Sequence, residues 1–355
     1  MKIENACSNK TPREIGYCMP AEWCRHEAIW LAWPHDPTTF ISGVEKVEET
    51  YVQIVKLLHK DEYVNLFVKD EPMKERITDL FEKSNIDLKR IRFFVFDYAD
   101  VWFRDYGPIF VRNANEELAM VHWNFNSWGQ KYEDLLKDAE IPHMINRQMH
   151  LSCFEPGIVL EGGSIDVNGK GTLLTTEQCL LNKNRNAGFD KAKIETYLQD
   201  YLGVTHIIWL KWGIAGDDTD GHVDDLARFV NSTTVVCAYE EGKDENTDVL
   251  RKNYEILLES KDQDGKKLNI VKLPMPGKVE CNKQRLPASY TNFYIGNKTV
   301  LVPTFKSEND KTALSILQNL FPERKVVGVD CIALICGFGA IHCISQQQPS
   351  SITKC

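Results

Sequence analysis

The stretch LARFVNSTTVVCAY (226–239) decides the fold class when it is taken together with the residues that follow it. Apolar and β-branched residues on both sides of Asn231 and Ser232 predict a β-hairpin with its turn at these two positions. The segment 247–260 has the period of an amphipathic helix, and LNIVKLP (268–274) is typical of a further strand. Two paired strands followed by a helix and another strand indicate an α/β fold.

The same alternation continues along the rest of the chain. Apolar residues at helical spacing predict helices, and short β-branched or aromatic runs predict strands. Further helices are predicted at 47–58, 73–84, 190–202 and 310–321, and further strands at 61–68, 91–97, 109–113, 119–125, 171–176, 206–212, 325–330 and, as a pair, within 292–303. No linker is evident, and the charged segment 261–266 is predicted to be a surface loop. The 355 residues therefore form either about two domains or one large domain of a repeated architecture.

The charge balance and the hydropathy pattern argue against several classes of protein. The 42 basic and 51 acidic residues give a net charge of −9, which argues against a nucleic-acid partner and is compatible with a small cationic ligand. The longest apolar run, 331–341, is far shorter than the roughly 20 residues of a membrane span. The segment 1–16 lacks the apolar centre of a signal peptide.

Eleven cysteines at irregular spacing, with no CxxC pair, favour reduced thiols over a disulfide framework or a zinc ribbon. Reduced thiols are typical of an intracellular protein, so we expect a cytoplasmic location without a membrane or nucleic-acid partner. The sequence leaves the oligomeric state open, a homo-oligomer included.

Four stretches combine glycine with side chains that carry chemistry. They are DVWFRDYGP (100–108), LEGGSI (160–165), GDDTDGHVDDLARF (216–229) and CGFGAIHCISQQQP (336–349). Each has an ordinary structural explanation: a turn, a loop, a solvated acidic segment and a buried thiol. As a set they supply acids, His222 and Cys343 on separate loops, which is how a rigid scaffold commonly presents catalytic groups.

Two chemistries fit this set. His222 with its neighbouring carboxylates suits a divalent metal, so a metal-dependent hydrolase is one alternative, although the chain has no HExxH motif. A Cys–His pair instead indicates catalysis by a thiolate nucleophile. Surplus carboxylates beside such a pair are explained if the electrophile is a cation, because two carboxylates can bind and orient a guanidinium group.

Seven collinear blocks carry a family resemblance. They are MPAEWCRHEAIWLAWP (19–34), WFRDYGP (102–108), FNSWGQKY (125–132), EGGSIDVNGKGTLLTTEQCLLNKNRN (161–186), DDTDGHVDDLARF (217–229), RLPASYTNFYIGN (285–297) and GAIHCISQQQP (339–349). The whole chain resembles the agmatine deiminases, within the wider peptidylarginine-deiminase-like group of guanidine-modifying enzymes. The resemblance implies a single catalytic domain, 1–355. Its implied fold is the five-bladed α/β propeller, or pentein, of ββαβ units with pseudo-fivefold symmetry and an active site at the axis.

Carried over position by position, the resemblance implies four catalytic residues. The family nucleophile falls on Cys343 and the catalytic histidine on His222. The two carboxylates that bind the guanidinium group fall on Asp105 and Asp224. Asp166 stands where many members have histidine, but this departure lies outside the four catalytic positions.

Further positions bear on substrate binding. Trp102 resembles a tryptophan that lines the substrate channel of the family, and Glu161 and Gly339 lie in blocks near the implied active site. Where relatives often read GGGNIHC, this chain reads GFGAIHC, with Phe338 and Ala340 in place of glycine and asparagine. These departures concern substrate specificity rather than the reaction class.

The resemblance implies hydrolytic deimination of agmatine to N-carbamoylputrescine and ammonia, through a covalent S-alkylthiouronium on Cys343. No metal or organic cofactor is implied. The alternatives are deimination of peptidyl-arginine or free arginine, transfer of the amidino group to an acceptor, the metal-dependent hydrolase and a non-catalytic binder. The segment between Arg112 and Arg147 contains no arginine, which favours a substrate without a carboxylate. The resting protonation state of Cys343 and the source organism stay open.

Overall fold

The strands of the protein are short and numerous. The computed structural model describes residues 10–351. The strands are β1 (His26–Ala32), β2 (Tyr63–Val68), β3 (Ile91–Val95), β4 (Ile109–Arg112), β5 (Leu118–Val121), β6 (Ser152–Phe154), β7 (Asp166–Val167), β8 (Thr172–Thr176), β9 (His206–Leu210), β10 (Ala227–Asn231), β11 (Thr234–Tyr239), β12 (Asn269–Pro274), β13 (Glu280–Cys281), β14 (Gln284–Arg285), β15 (Tyr294–Ile295), β16 (Thr299–Thr304), β17 (Lys325–Asp330) and β18 (Gln346–Pro349).

The helices lie mostly between the strands of one sheet. They are α1 (Val44–Leu58), α2 (Glu71–Lys83), α3 (Phe103–Tyr106), α4 (Ser127–Gln130), α5 (Ile141–Met149), α6 (Glu177–Leu180), α7 (Lys191–Leu202), α8 (Thr247–Glu259) and α9 (Asp310–Leu320). Short 3₁₀ turns at Gly162–Ser164, Val223–Asp225 and Leu334–Gly337 matter for the site described below.

Five of the sheets share one strand order. Each has an antiparallel strand, then a central strand, then a parallel strand reached through a helical connection: β4-β5-β6, β7-β8-β9, β10-β11-β12, β15-β16-β17 and β18-β1-β2, the last extended by β3. The C-terminal strand β18 therefore completes the sheet that the N-terminal strand β1 begins. The hairpin β13-β14 stands apart from these sheets.

The sheet β10-β11-β12 shows why the sequence forms such a unit. Strand β11 is buried along its length except at its last residue, and α8 buries Leu250 and Leu257 on it. A connection that crosses from one strand to a parallel neighbour needs a helix of this length. The hairpin turn lies at Ser232 and Thr233, one residue later than predicted, because Asn231 ends β10 and its Oδ1 accepts a hydrogen bond from the Thr233 N–H at 3.0 Å.

The mixed α/β class predicted from the sequence is confirmed, and the predicted helices appear as α1, α2, α7, α8 and α9 within a few residues of their expected bounds. Within residues 10–351, no helix is long and apolar enough to cross a membrane. The described cysteines are free thiols except Cys24, which is disulfide-bonded. The expectation of wholly reduced thiols is therefore wrong for Cys24.

Candidate active site

Asp105 is presented by the one-turn helix α3. Phe103 anchors this helix, since its ring packs against those of Trp30 and Phe67 at centroid distances of 6.0 and 5.2 Å. The Asp105 carboxylate accepts hydrogen bonds from the indole Nε1 of Trp128 at 2.9 Å and from the backbone N–H of Gly163 at 3.0 Å. Burial raises the pKa of Asp105 to about 6, more than the nearby histidine lowers it.

His222 and Asp224 lie at the start of the turn Val223–Asp225. The preceding loop is fixed by Gly221, at φ +89°, whose N–H donates to Asp217 Oδ2 at 2.6 Å and whose carbonyl accepts from Thr176 Oγ1 at 2.6 Å. The Nδ1 of His222 lies 3.6 Å from Asp105 Oδ1. A residue in the left-handed region is best supplied by glycine, so this turn depends on Gly221.

The protonation of His222 follows from its acidic surroundings. Burial lowers its pKa, but Asp105, the Cys179 thiol and Glu161 raise it, and the result is a pKa well above the ordinary value. The Nε2 of His222 lies 3.9 Å from Glu161 Oε2. Glu161 in turn is fixed by Arg185, whose Nε donates to Oε1 at 2.6 Å. His222 is therefore an imidazolium at neutral pH.

Asp224 is held at one oxygen by a buried charged network. His342 places Nδ1 2.6 Å from Asp224 Oδ2 and Nε2 2.9 Å from Glu22 Oε2. Arg228 donates to Glu22 at 2.7 Å and to Asp166 Oδ1 at 2.7 Å. Asp166 thus pairs with a buried cation. The network keeps Asp224 ionised: burial raises its pKa, but the hydrogen bond and the charge interactions with His342, His222 and Arg228 lower it below the ordinary value.

The second oxygen of Asp224 is a vacant acceptor. Oδ1 is buried and has no hydrogen-bond partner among residues 10–351. A buried, unpartnered carboxylate oxygen costs free energy unless a ligand supplies the donor. This atom is the clearest indication that a donor-rich cation binds at this point.

Cys343 follows the turn Leu334–Gly337 and precedes β18. Its Sγ lies 4.0 Å from Asp224 Oδ2 and accepts a hydrogen bond from Asn292 Nδ2 at 3.0 Å. The same amide nitrogen donates to Asp225 Oδ1 at 3.0 Å. Burial, and then the carboxylates of Asp224, Asp225 and Asp105, raise the pKa of the Cys343 thiol well above its ordinary value. The thiol is therefore protonated when no cation is bound.

Gly163 lies at the centre of these groups. A Cβ at this position would lie 2.5 Å from His222 Nδ1, 2.8 Å from Asp105 Oδ1 and 3.2 Å from Asp224 Oδ2. Side chains from two separate loops therefore converge at one glycine of a third loop. Only a residue without a side chain permits this approach.

A cavity of about 440 Å³ leads to Cys343 and Asp105. Its lining comprises Asp36, Thr38, Thr39, Asp100, Trp102, Asp105, Trp128, Lys131, Tyr132, Glu133, Asp134, Leu135, Asp218, Thr219, Gly337, Phe338 and Cys343. The lining contains six aspartate or glutamate residues beside a single lysine and has no arginine among the residues that the structure describes. Lys131 is itself occupied, since its Nζ lies 2.9 Å from Asp220 Oδ1.

Trp102 forms a wall of this cavity, and its Nε1 donates to Asp100 Oδ2 at 3.1 Å. Gly339 lies behind that wall, where a Cβ would be 2.3 Å from Trp102 Cζ3 and 3.0 Å from Cys343 Cβ. Phe338 lines the cavity in a left-handed conformation, with φ +71°. A bulky residue in this region is strained, by roughly 1–2 kcal/mol, and such strain is commonly found at functional sites.

Two groups of side chains among the described residues could hold a metal ion. Glu161, Cys179 and His222 form one, and His122, His143 and Glu155 form the other. In each group the ligand atoms lie within 4.8 Å of one another. The first group shares His222 with the candidate catalytic set, and the second lies outside it.

The chain has counterparts among known proteins. The sequence profile of the Porphyromonas-type peptidyl-arginine deiminases matches residues 18–349. The chain belongs to this family. Members of the family are hydrolases acting on C–N bonds, and this chain is an enzyme of that kind.

Relatives of the family cover almost the whole chain. A protein of Legionella pneumophila strain Paris is 37% identical over 97% of this chain and 98% of its own length. The agmatine deiminase of Stutzerimonas stutzeri is 35% identical over 97% of this chain and 98% of its own length. The solved structure of the Enterococcus faecalis agmatine deiminase superposes with a TM-score of 0.90 at 33% identity, covering 97% of this chain and 99% of that one.

The structure brings the four predicted catalytic residues of this family member together. Asp105, Cys343 and Trp102 line the cavity, whereas His222 and Asp224 lie next to Asp105 and Cys343 outside the described lining. Glu161 lies behind His222 and Gly339 behind Trp102, and neither of these two lines the cavity within the described part of the chain. Sequence reasoning missed Asn292, Trp128 and the paired role of Asp166. Asn292 and Trp128 fall within the sequence blocks that carry the resemblance, but a polar or aromatic residue in a loop carries no signal of its partner.

Proposed function

We propose that the protein hydrolyses agmatine to N-carbamoylputrescine and ammonia. The observation that carries this proposal is the buried Oδ1 of Asp224, which has no donor within the described chain and belongs to a carboxylate whose other oxygen lies 4.0 Å from Cys343 Sγ. A guanidinium group supplies several N–H donors in one plane, and a carboxylate pair fixes that plane. Relatives that are named agmatine deiminases support the substrate.

Binding of the cation sets the state of the nucleophile. Asp105 and Asp224 would bind the guanidinium nitrogens and turn the face of its carbon towards Cys343. The bound positive charge offsets the carboxylates that raise the pKa of the thiol, so the thiol loses its proton to solvent as the substrate arrives. The substrate therefore contributes to activation of its own nucleophile.

The chemical steps then need one acid that later serves as a base. The Cys343 thiolate adds to the guanidinium carbon, and His222 donates its proton to the nitrogen that leaves as ammonia. The result is an S-alkylthiouronium on Cys343 and a neutral His222. His222 takes a proton from water, and the hydroxide adds to the same carbon. The C–S bond then breaks to release the thiolate, and the hydroxyl proton of the adduct passes to solvent, which leaves the neutral urea product. Glu161 holds His222 in place through these steps.

The cavity favours agmatine over arginine. Agmatine carries a second cation and no carboxylate, which suits a lining rich in aspartate and glutamate. An α-carboxylate of arginine would need an arginine or a free lysine. The described lining offers only Lys131, which is already paired with Asp220.

We also infer that the five similar sheets are blades arranged about one axis with pseudo-fivefold symmetry, within a single catalytic domain, 1–355. Support comes from their shared strand order and from the position of the site residues, each in the loop before an antiparallel strand. Asp105 precedes β4, Glu161 precedes β7, His222 and Asp224 precede β10, Asn292 precedes β15 and Cys343 precedes β18. Contacts of α3 with Gly162–Ser164, and of that turn with Val223–Asp225, support convergence of these loops.

The remaining sequence predictions fit this proposal. A metal-free thiol mechanism, a small cationic substrate, no nucleic-acid or membrane partner and a cytoplasmic location are all compatible with hydrolysis of agmatine. Chelator treatment tests the metal-dependent alternative, since activity that is lost with chelator and restored by a divalent ion would favour it.

A comparison of three substrates tests the proposal. We expect kcat/KM for ammonia release from agmatine to exceed that from free arginine and from a peptide ending in arginine by roughly 100-fold. The carboxylate or the peptide backbone of those substrates would find no binding partner in the acidic cavity lining. Each substrate is assayed by ammonia release at equal enzyme concentration. Equal rates on all three would contradict the substrate assignment. Release that depends on an added amine acceptor would indicate amidino transfer, and no release would indicate a binder.

The pH dependence of agmatine hydrolysis is a second test. Asp105, with a pKa of about 6, binds the guanidinium group only when it is ionised, which holds above that pH and fails below it. Loss of the Cys343 proton already makes kcat/KM fall as the pH is lowered, and we expect it to fall by a further factor of about ten per pH unit once the pH drops below about 6. The profile is measured under conditions where circular dichroism shows the protein folded. A break near the ordinary aspartate pKa of about 4 would contradict this assignment.

A further inference from the structure

Three side chains outside the cavity lining converge at the end of the sheet β4-β5-β6. His122 directly follows β5, Glu155 directly follows β6, and His143 lies in the first turn of α5. Val121 pairs with Phe154 in the parallel register, so His122 and Glu155 occupy the next matching positions, and the His122 N–H donates to Phe154 O at 2.9 Å. The ligand atoms of the three side chains lie within 4.8 Å of one another.

His122 has a ring nitrogen that is available to bind a metal ion. Its side chain is buried, and the residue is only 8% exposed. Nε2 lies 3.2 Å from the carbonyl oxygen of Ala139 and so carries the proton, which leaves the lone pair on Nδ1. Nδ1 is buried and has no hydrogen-bond partner within residues 10–351. A histidine that donates one N–H to a backbone carbonyl while the other nitrogen stays free is the usual arrangement of a metal ligand.

His143 and Glu155 complete a donor set that is accessible from solvent. The two imidazole rings lie 4.2 Å apart at 88° to each other, Glu155 is exposed, and His143 is partly exposed. Zinc–nitrogen and zinc–oxygen bonds of about 2.1 Å place tetrahedral ligand atoms roughly 3.4 Å apart. A small movement of the exposed Glu155 and of His143 reaches that geometry without disturbing the buried His122.

We propose that His122, His143 and Glu155 bind one divalent transition-metal ion, with zinc the best match for two imidazoles and a carboxylate. The ion would tie α5 to the ends of β5 and β6. The 3₁₀ segment Glu133–Glu140 leads directly into α5, and Glu133, Asp134 and Leu135 line the cavity. The bound ion therefore stabilises one wall of the cavity and takes no part in the chemistry, so the site does not depend on the proposed function.

Zinc and cobalt titrations test this site in the full-length Cys343→Ala protein, which removes one competing thiol. We expect one tight zinc site and a rise in the melting temperature on zinc addition. In the double variant that also carries His143→Ala, we expect the zinc affinity to fall by about 100-fold. Glu155→Gln, at an exposed position that tolerates substitution, should weaken binding in the same direction. Cobalt at the proposed site should show no thiolate charge-transfer absorption, whereas cobalt at the cluster that contains Cys179 should show it.

The results separate cleanly. Unchanged zinc affinity in both His143→Ala and Glu155→Gln would overturn the proposal, as would thiolate absorption from the bound cobalt or the absence of tight binding in the parent protein. Agmatine hydrolysis is assayed separately in the chain that keeps Cys343. Loss of the metal site with retained hydrolysis, or the reverse, distinguishes failure of this inference from failure of the proposed function.

Discussion

Cys343→Ala is expected to lower kcat for ammonia release from agmatine by roughly 10⁴-fold or more, because no other group can form the covalent intermediate. The thiol is the only sulfur in the described cavity lining. Removal of a single Sγ from a buried site should leave the fold intact. Ammonia release is measured under saturating agmatine, and a rise in melting temperature with agmatine checks that the variant still binds the cation.

Cys336→Ala is the matched control. Cys336 lies in the turn before Phe338 and has the same exposure as Cys343, 8%, but its Sγ donates to the Ile332 carbonyl at 3.4 Å and lies outside the described cavity lining. We expect this variant to keep the kcat of the parent protein. The nucleophile would lie elsewhere if Cys343→Ala retained a tenth of the activity. A loss of equal size in both variants would indicate damage to the turn rather than to the chemistry.

The local elements could be predicted from the sequence because their causes are local. Apolar periodicity located α1 and α8, and the hairpin signal placed the β10–β11 turn to within one residue. Strand β18 shows the limit of this reasoning. Its buried glutamines are explained only by a distant partner, since Gln348 Oε1 accepts a hydrogen bond from the indole of Trp30 at 3.0 Å. Pairing between the two ends of a chain leaves no local signal.

The residues of the site could likewise be predicted from the sequence, but their arrangement in space could not. The resemblance located Cys343 and His222, and the glycines of LEGGSI drew attention to that loop. That Gly163 lies among three catalytic side chains follows only from the convergence of separate loops. The role of Asn292, which donates to the thiol, is equally a matter of three-dimensional distance.

Gly163→Ala is expected to lower kcat/KM for agmatine by roughly 100-fold or more, although alanine adds only one methyl group. The new Cβ would lie 2.5 Å from His222 Nδ1 and 2.8 Å from Asp105 Oδ1, closer than any stable contact. These side chains are buried and cannot move aside without losing their partners. Displacement of catalytic groups by about 1 Å typically costs about 10²-fold in rate. Steady-state kinetics and a thermal melt of the variant measure the two effects separately.

Gly242→Ala provides the control for glycine replacement, because its Cβ would approach only the end of the partly buried Glu240 side chain, whose Oε1 would lie 3.1 Å away. We expect this variant to keep parental kinetics and stability. In Gly163→Ala we expect a far larger loss of activity than of stability. Overpacking of this kind costs about 1–3 kcal/mol, whereas the geometry of the acid and the two carboxylates is disrupted directly. Parental kcat/KM in Gly163→Ala would mean that His222 and Asp105 do not act together at this glycine, and the assignment of His222 as acid and base would fall with it.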